Sequence, residues 1–190
     1  DWKEMIDSYR NVKTELEIGL VGKYVQLHDA YLSVSQALID AGYKNAHKIN
    51  IRWINSEEVN EENAKEVFKG LDGIIVPGGF GGRGIEGMIA TSKYARENNI
   101  PYFGICLGMQ IAIIDIARNV ANLEGADSTE KDETTKYPVI DLMENQFDVE
   151  NIGGTLRLGN YDCKLLKNSK ARELYNSEII QERHRHRYEF

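Results

Sequence analysis

Short apolar segments alternate with longer amphipathic segments over most of the chain. Apolar runs predict strands over 17–22, 48–54, 71–76 and 102–105. Apolar residues at helical spacing predict helices over 29–41, 63–69, 85–98 and 107–122. This alternation predicts an α/β fold with a doubly wound, mostly parallel sheet. Ligands of such sheets bind at the carboxyl ends of the strands, so we expect the functional residues there.

The two ends of the chain differ from this alternating series. Residues 1–16 carry Trp2, Ile6 and Tyr9 at helical spacing, which predicts a helix that leads in from a preceding domain. The domain itself is then predicted over residues 17–190. Beyond a polar stretch, strands are predicted over 139–143, 154–158 and 162–166, a helix over 170–175, and a last strand near Tyr188.

Length, charge and cysteine content narrow the class of protein. A chain of 190 residues supports one ordinary domain with a buried core. The net charge of −7 is spread along the chain, which argues against a nucleic-acid surface, although residues 183–187 form a basic run. Two cysteines do not make a disulfide framework, and Cys163 is interpreted as a packing residue. The chain start lacks a signal-peptide core and no apolar run reaches the length of a membrane span, so we expect a cytoplasmic protein without a membrane partner.

Cys106 lies where a predicted strand meets a predicted helix, between Gly104 and Gly108. A tight strand-to-helix turn that presents a nucleophile needs small residues at both positions, because a larger side chain would collide across the turn. The start of a helix favours the thiolate, so we expect a lowered pKa for Cys106. The alternative is a buried structural cysteine, but that would not require both glycines.

A glycine-rich segment at 77–84 follows the third predicted strand and precedes a helix. Its bare backbone could hold a phosphate, but the spacing matches neither the Walker motif nor GxGxxG, and the Walker lysine is missing. It could instead supply amides to an oxyanion hole, or form a plain tight turn. The nearby elbow favours the oxyanion hole, because adjacent strand ends would bring Gly79 and Leu107 together.

The four histidines have two different settings. His28 and His47 are isolated and are interpreted as surface or packing residues. His184 and His186 alternate with arginines, so on a strand they share one face with neither Arg183 nor Arg185. An arginine of this run could clamp a carboxylate, or the run could be a solvated edge strand.

Seven segments together resemble the class I (triad) glutamine amidotransferase domain of the CTP synthases, which is flavodoxin-like. They are 22–25, 29–33, 77–84, 104–110, 126–130, 153–159 and 182–189. The Gly-x-Cys-x-Gly element alone is typical of all class I amidotransferases, whereas the last three segments resemble CTP synthase in particular. The alternatives are a γ-glutamyl hydrolase, another class I amidotransferase, and a non-catalytic module with the same fold.

The resemblance implies a role for each matching residue. Cys106 would attack the side-chain amide of L-glutamine, with Gly79 and Leu107 as oxyanion-hole donors. Glu130 would hold the α-amino group of glutamine and Arg187 its α-carboxylate. Further glutamine contacts are implied for Gly79, Leu107, Gly108, Met109 and Gln110, and coupling to the synthase domain for Arg83, Gly84 and Glu86.

The resemblance also implies what the whole enzyme does. Ammonia released from glutamine would aminate UTP to CTP in a preceding synthase domain that binds ATP and Mg²⁺, with GTP as allosteric activator, in a homotetramer. No cofactor or metal is expected in this domain. The family completes its triad with a His-Pro-Glu segment beyond the basic run, and the printed sequence stops at Phe190 before it. We therefore expect little glutaminase activity from this segment alone.

Overall fold

A computed structural model describes residues 2–12, 14–143 and 157–190. The predicted strand at 154–158 and the segment 153–159 therefore lie largely outside the described residues. The chain divides into two compact units, one of residues 1–140 with Phe190 and one of residues 141–189.

The first unit is built on a parallel sheet of four strands. They are β1 (Thr14–Gly22), β2 (His47–Asn55), β3 (Gly73–Val76) and β4 (Tyr102–Gly104). Their order is β2-β1-β3-β4, and each neighbouring pair is parallel. This confirms the predicted α/β, doubly wound sheet. All four carboxyl ends lie at one edge, and both glycine-rich turns follow strands that end there.

Helices precede, connect and follow these strands. They are α1 (Trp2–Arg10), α2 (Leu32–Lys44), α3 (Ala64–Val67), α4 (Ile85–Glu97) and α5 (Leu107–Asn119), with short 3₁₀ helices at His28–Tyr31 and Ser56–Glu58. The core is apolar, and Leu20, Val21 and Val76 are fully buried in it. Among the described residues, no helix is both long enough and apolar enough to span a membrane.

Three boundaries differ from the sequence-based predictions for local reasons. The first strand begins at Thr14 rather than 17, within the predicted lead-in segment. The helix predicted over 63–69 is confined to Ala64–Val67, since Asn60 and Asn63 exchange side-chain hydrogen bonds before it and Gly70 takes a φ of 77° after it. The helix predicted from 29 starts as a 3₁₀ turn, in which the Tyr31 hydroxyl accepts hydrogen bonds from the amides of Lys23 and Tyr24.

A buried ion pair joins α4 to α5. The carboxylate of Asp115, which is 0% exposed, accepts two hydrogen bonds from the guanidinium of Arg96, both at 3.0 Å. It also accepts hydrogen bonds from Ser92 at 3.1 Å and Asn119 at 3.0 Å. These contacts satisfy a charge that would otherwise be costly to bury. They fix the two helices that begin at the glycine-rich turns, and we call them the α4–α5 clamp.

The first unit ends in a small parallel pair of strands, of which the first was not predicted because its sequence is polar. Strand β5 (Asp127–Ser128) lies beside the start of β6 (Pro138–Leu142). In this pair, Asp127 lies opposite Pro138, and Ser128 lies opposite Ile140. The side chain of Ile140 is fully buried.

The second unit contains an antiparallel ribbon of β7 (Arg157–Lys164) and β8 (Ile179–His186), connected through α6 (Lys170–Tyr175). The short strand β9 (Tyr188–Glu189) pairs with Asp141 and Leu142 of β6. Burial alternates along β8, so that His184 and His186 share the less exposed face. This confirms the face predicted from the spacing of the basic run.

Candidate active site

Cys106 occupies a strained turn between β4 and α5. Its φ of 53° and ψ of −105° are unusual for a residue with a side chain. The two flanking glycines make the turn possible. A Cβ on Gly104 would lie 2.4 Å from the backbone of Gly108, and a Cβ on Gly108 would lie 2.1 Å from the carbonyl oxygen of Val76. The turn is therefore a nucleophile elbow in its geometry.

The thiol of Cys106 is exposed to solvent on one side and enclosed by protein on the others. This partial desolvation raises the pKa of Cys106, and the negative charge of Glu130 raises it further, whereas a hydrogen bond from the Leu107 amide lowers it. The expected lowering of the pKa is therefore wrong. Desolvation outweighs the single amide at the helix start, so the thiol must lose its proton to a base.

The two predicted oxyanion-hole residues lie next to each other. A hydrogen bond from the Leu107 amide lowers the pKa of the Cys106 thiol. A Cβ on Gly79 would lie 3.3 Å from Leu107 Cδ2, and one on Gly78 would lie 3.5 Å from Cys106 Cβ. The structure thus brings the glycine-rich segment against the elbow. That the two amides stabilise an oxyanion stays a prediction.

Residues 77–84, which we call the glycine loop, are tethered by two oppositely charged side chains. The ammonium of Lys23 donates hydrogen bonds to the carbonyl oxygens of Phe80, at 2.9 Å, and of Gly81. The Gly81 amide donates to Glu130 Oε1 at 3.1 Å. Sequence reasoning assigned no role to Lys23, and its only local signal was its position directly after a buried strand.

A pocket of the first unit lies beside these groups. Gly81, Leu107, Gln110 and Glu130 are among its lining residues. Gln110 is buried, whereas Met109 exposes 40% of its surface on the same helix. The elbow, the glycine loop and the carboxylate assigned to the substrate amine therefore meet in one place.

The three residues assigned to interdomain coupling have different surroundings. Arg83 forms an ion pair with Glu57 at 2.9 Å, and Gly84 takes a φ of 69°. Glu86 forms ion pairs with Arg118, at 2.9 Å, and with Lys131. Partial burial acts to raise the pKa of Glu86, but the hydrogen bonds from these two cations outweigh it and hold the pKa below its usual value.

His28 and His47, which were interpreted as surface or packing residues, each contact a neighbouring residue. His28 stacks on Trp53 with ring centres 4.0 Å apart, and the ring of His47 contacts the carbonyl of Asn45 at 2.6 Å. In the second unit, His184 Nδ1 lies 2.7 Å from His186 Nε2. Arg187 follows β8 directly and is half-buried. Within the described ranges, no three His, Cys, Asp or Glu side chains are grouped so as to hold a metal ion.

A comparison with known protein families identifies the family of this chain. The model of the glutamine amidotransferase class-I family matches residues 26–190. The chain belongs to the class-I glutamine amidotransferases. A solved structure described as the Trypanosoma brucei CTPS glutaminase domain with bound acivicin matches this amidotransferase with a TM-score of 0.83 at 39% identity, covering 92% of this chain and 67% of that one.

Curated relatives of this amidotransferase are CTP synthases. That of Bacillus subtilis (strain 168) is 58% identical over 190 residues, and that of Caldanaerobacter subterraneus is 56% identical over the same length. Both alignments cover the whole of this chain, but they cover 36% and 35% of the relatives. The chain therefore spans about a third of the length of these proteins.

Proposed function

We propose that this amidotransferase hydrolyses L-glutamine at Cys106 and, as the glutaminase domain of a CTP synthase, delivers the ammonia that converts UTP to CTP. The single observation that carries the first half is the strained elbow, which sets the Cys106 thiol beside the Leu107 amide and the glycine loop. Similarity to CTP synthases along the whole chain supports the second half.

Hydrolysis of the substrate amide needs a nucleophile, a base and hydrogen-bond donors for the oxyanion. Cys106 loses its proton to a base, and its sulfur bonds to the amide carbon of glutamine. The resulting oxyanion accepts hydrogen bonds from the Gly79 and Leu107 amides. The C–N bond breaks as the leaving nitrogen takes up a proton, which releases ammonia and leaves a γ-glutamyl thioester. Water then cleaves the thioester to give glutamate and the free thiol.

Glutamine is held by its amino-acid end. Glu130 binds the α-amino group, and its position in the pocket wall beside the glycine loop supports this role. Arg187 binds the α-carboxylate, for which a guanidinium supplies two parallel donors. Gly108, Met109 and Gln110, in the first turn of α5, contact the rest of the substrate.

The released ammonia is used in a synthase domain, which also holds ATP, UTP and Mg²⁺. Residues Arg83, Gly84 and Glu86 couple the two domains, and GTP activates hydrolysis. The whole enzyme is a cytoplasmic homotetramer. No residue of this chain is assigned to Mg²⁺ or ATP.

The test compares two nitrogen donors in a full-length CTP synthase that carries this chain. Cys106→Ala should reduce glutamine-dependent CTP formation by more than about 10³-fold, because the nucleophile is removed, and should leave ammonia-dependent formation within about twofold. Glu130→Ala and Arg187→Ala should weaken only the glutamine-dependent rate, by about 10- to 100-fold, since each loses a charge-assisted contact.

Cys163→Ala is the matched control, because this second cysteine lies on β7 outside the assigned site. It should keep both activities. Loss of the ammonia-dependent activity in Cys106→Ala would show that the substitution damages the fold, and retention of both activities would show that another group is the nucleophile.

A further inference from the structure

Lys23 is a buried cation that the hydrolytic steps above do not use. Only 6% of the residue is exposed. Desolvation lowers the pKa of Lys23, while the negative charge of Glu130 acts in the opposite direction. Lysine is rarely buried to this extent unless its charge has partners. The partners here are main-chain oxygens of the glycine loop, from Phe80 and Gly81.

The backbone of Lys23 is held on both sides, so the direction of its side chain is defined. Lys23 follows β1 at the carboxyl edge of the sheet, beside the strand that leads into the glycine loop. Its amide donates to the Tyr31 hydroxyl at 3.1 Å, and its carbonyl accepts from the Arg83 guanidinium at 3.3 Å.

The peptide group between Phe80 and Gly81 lies between two opposite charges. Its oxygen accepts from the Lys23 ammonium, and its N–H donates to the Glu130 carboxylate. Because a peptide group is planar, contacts at both of its ends fix its orientation. Hydrogen bonds in such a chain also polarise one another.

The stem of Lys23 also contacts the residue that carries the assigned oxyanion donor. A Cβ on Gly79 would lie 3.7 Å from Lys23 Cε and 3.8 Å from Lys23 Cδ. The Lys23 stem and the Leu107 side chain therefore both lie within 4 Å of the place where a side chain on Gly79 would begin.

We infer that Lys23 is a positioning residue for glutamine hydrolysis, which fixes the glycine loop and thereby the Gly79 amide beside Cys106. This inference rests on the proposed function. Lys23 itself does not contact the reacting atoms. It acts through the carbonyls of Phe80 and Gly81.

Lys23→Met tests this role, because methionine keeps an unbranched apolar stem but has no donor for the loop carbonyls. In a full-length CTP synthase that carries this chain, kcat for glutamine hydrolysis should fall by about 10- to 100-fold, as expected when an oxyanion donor is misplaced. Ammonia-dependent CTP formation should stay within about twofold of wild type. Lys93→Met is the matched control, since Lys93 pairs with Glu61 on the surface at 2.7 Å, and it should keep both rates.

Alkylation of Cys106 by iodoacetamide separates positioning from general damage. This displacement forms no oxyanion, so its rate should change by less than about twofold in Lys23→Met while hydrolysis falls. If Lys23→Met does not fold, as judged by its melting curve, Lys23→Gln serves instead, because its shorter amide cannot supply both hydrogen bonds of the ammonium, and its kcat should fall by about threefold or more.

Two results would overturn the inference. One is a folded Lys23→Met or Lys23→Gln enzyme that hydrolyses glutamine at the wild-type rate. The other is a variant in which alkylation slows as much as hydrolysis, which would show that Lys23 supports the fold as a whole. Failure of the wild-type enzyme to hydrolyse glutamine would instead refute the proposed function itself.

Discussion

The elbow and the glycine loop follow neighbouring strands, yet they are held in shape by different means. In the elbow, Cβ atoms on Gly104 and Gly108 would collide with main-chain atoms at 2.4 Å or less. In the glycine loop, a Cβ on Gly81 would meet nothing within 4 Å, and one on Gly82 would meet only the Lys131 side chain at 3.7 Å. Backbone packing thus defines the elbow, whereas hydrogen bonds from side chains hold the part of the loop around Gly81 and Gly82.

This difference has a consequence for how each turn can change. Main-chain contacts allow the elbow only one arrangement, because no side chain can move to relieve them. The loop depends on the charges of Lys23 and Glu130, and Glu130 is also the carboxylate assigned to the substrate amine. The proposed nucleophile is therefore held in one place by packing, whereas the loop is the part of the proposed site that depends on the charge of Glu130.

The largest effect is expected from Gly108→Ala. Its Cβ would lie 2.1 Å from the Val76 carbonyl oxygen, so α5 must move away from β3. Overpacking of this kind costs about 1–3 kcal/mol of the free energy of unfolding, and displacement of Cys106 should reduce glutaminase activity by more than about 100-fold. Thermal denaturation and a steady-state glutaminase assay of the full-length enzyme measure the two effects.

Gly125→Ala is the control for Gly108→Ala. Unlike Gly108, Gly125 has no neighbour within 4 Å of an added Cβ; its φ is 79°, so only backbone strain of about 1–2 kcal/mol is expected, with no change in catalysis. Wild-type glutaminase activity in Gly108→Ala would show that the elbow does not depend on its packing.

An intermediate effect is expected in the pH dependence of Cys106 alkylation. The pKa of the thiol is raised, so the thiolate forms at higher pH than in an ordinary cysteine, whose pKa is about 8.5. In the 190-residue chain with Cys163→Ser, the iodoacetamide rate should rise with pH and reach half its maximum above that value. Glu130→Gln should lower the midpoint, since it removes a negative charge that raises the pKa. A midpoint below pH 8 in the parent chain would restore the original prediction of a thiolate stabilised by the helix.

The smallest effects are expected in the glycine loop. Gly82→Ala places its Cβ in ordinary van der Waals contact with the Lys131 side chain at a non-positive φ, so stability and kcat should change little. Gly81→Ala must adopt a φ of 73°, which costs about 1–2 kcal/mol, and a few-fold loss of kcat should follow from a shifted loop. Melting curves and kcat for both variants provide the measurement. A loss in Gly82→Ala as large as that in Gly108→Ala would mean that the loop, too, is fixed by packing.

The features that could be predicted from sequence are those that short-range sterics determine. Gly104 and Gly108 identify the elbow because the turn itself excludes larger residues. The alternation of strands and helices identifies the sheet, and its parallel order was confirmed. The role of Lys23 could not be predicted, because its contacts with Phe80 and Gly81 are 57 and 58 residues away.

The pKa of Cys106 was predicted in the wrong direction for a related reason. The helix start is visible in the sequence, but the desolvation around the thiol comes from the folded surroundings. The short strand β5 was missed because Asp127 and Ser128 are polar, and they are buried only through their neighbours. Arg187 was assigned through resemblance, and its contact with glutamine stays a prediction.

The α4–α5 clamp links the two turns through the helices that follow them. Asp115 and Arg96 join the helices behind the site, while the glycine loop and Cys106 stand at their leading ends. Because these contacts hold the two helices together away from the turns, a shift of one helix is opposed by the other. The clamp thus links the surroundings of the two turns, although no side chain of the clamp belongs to either turn.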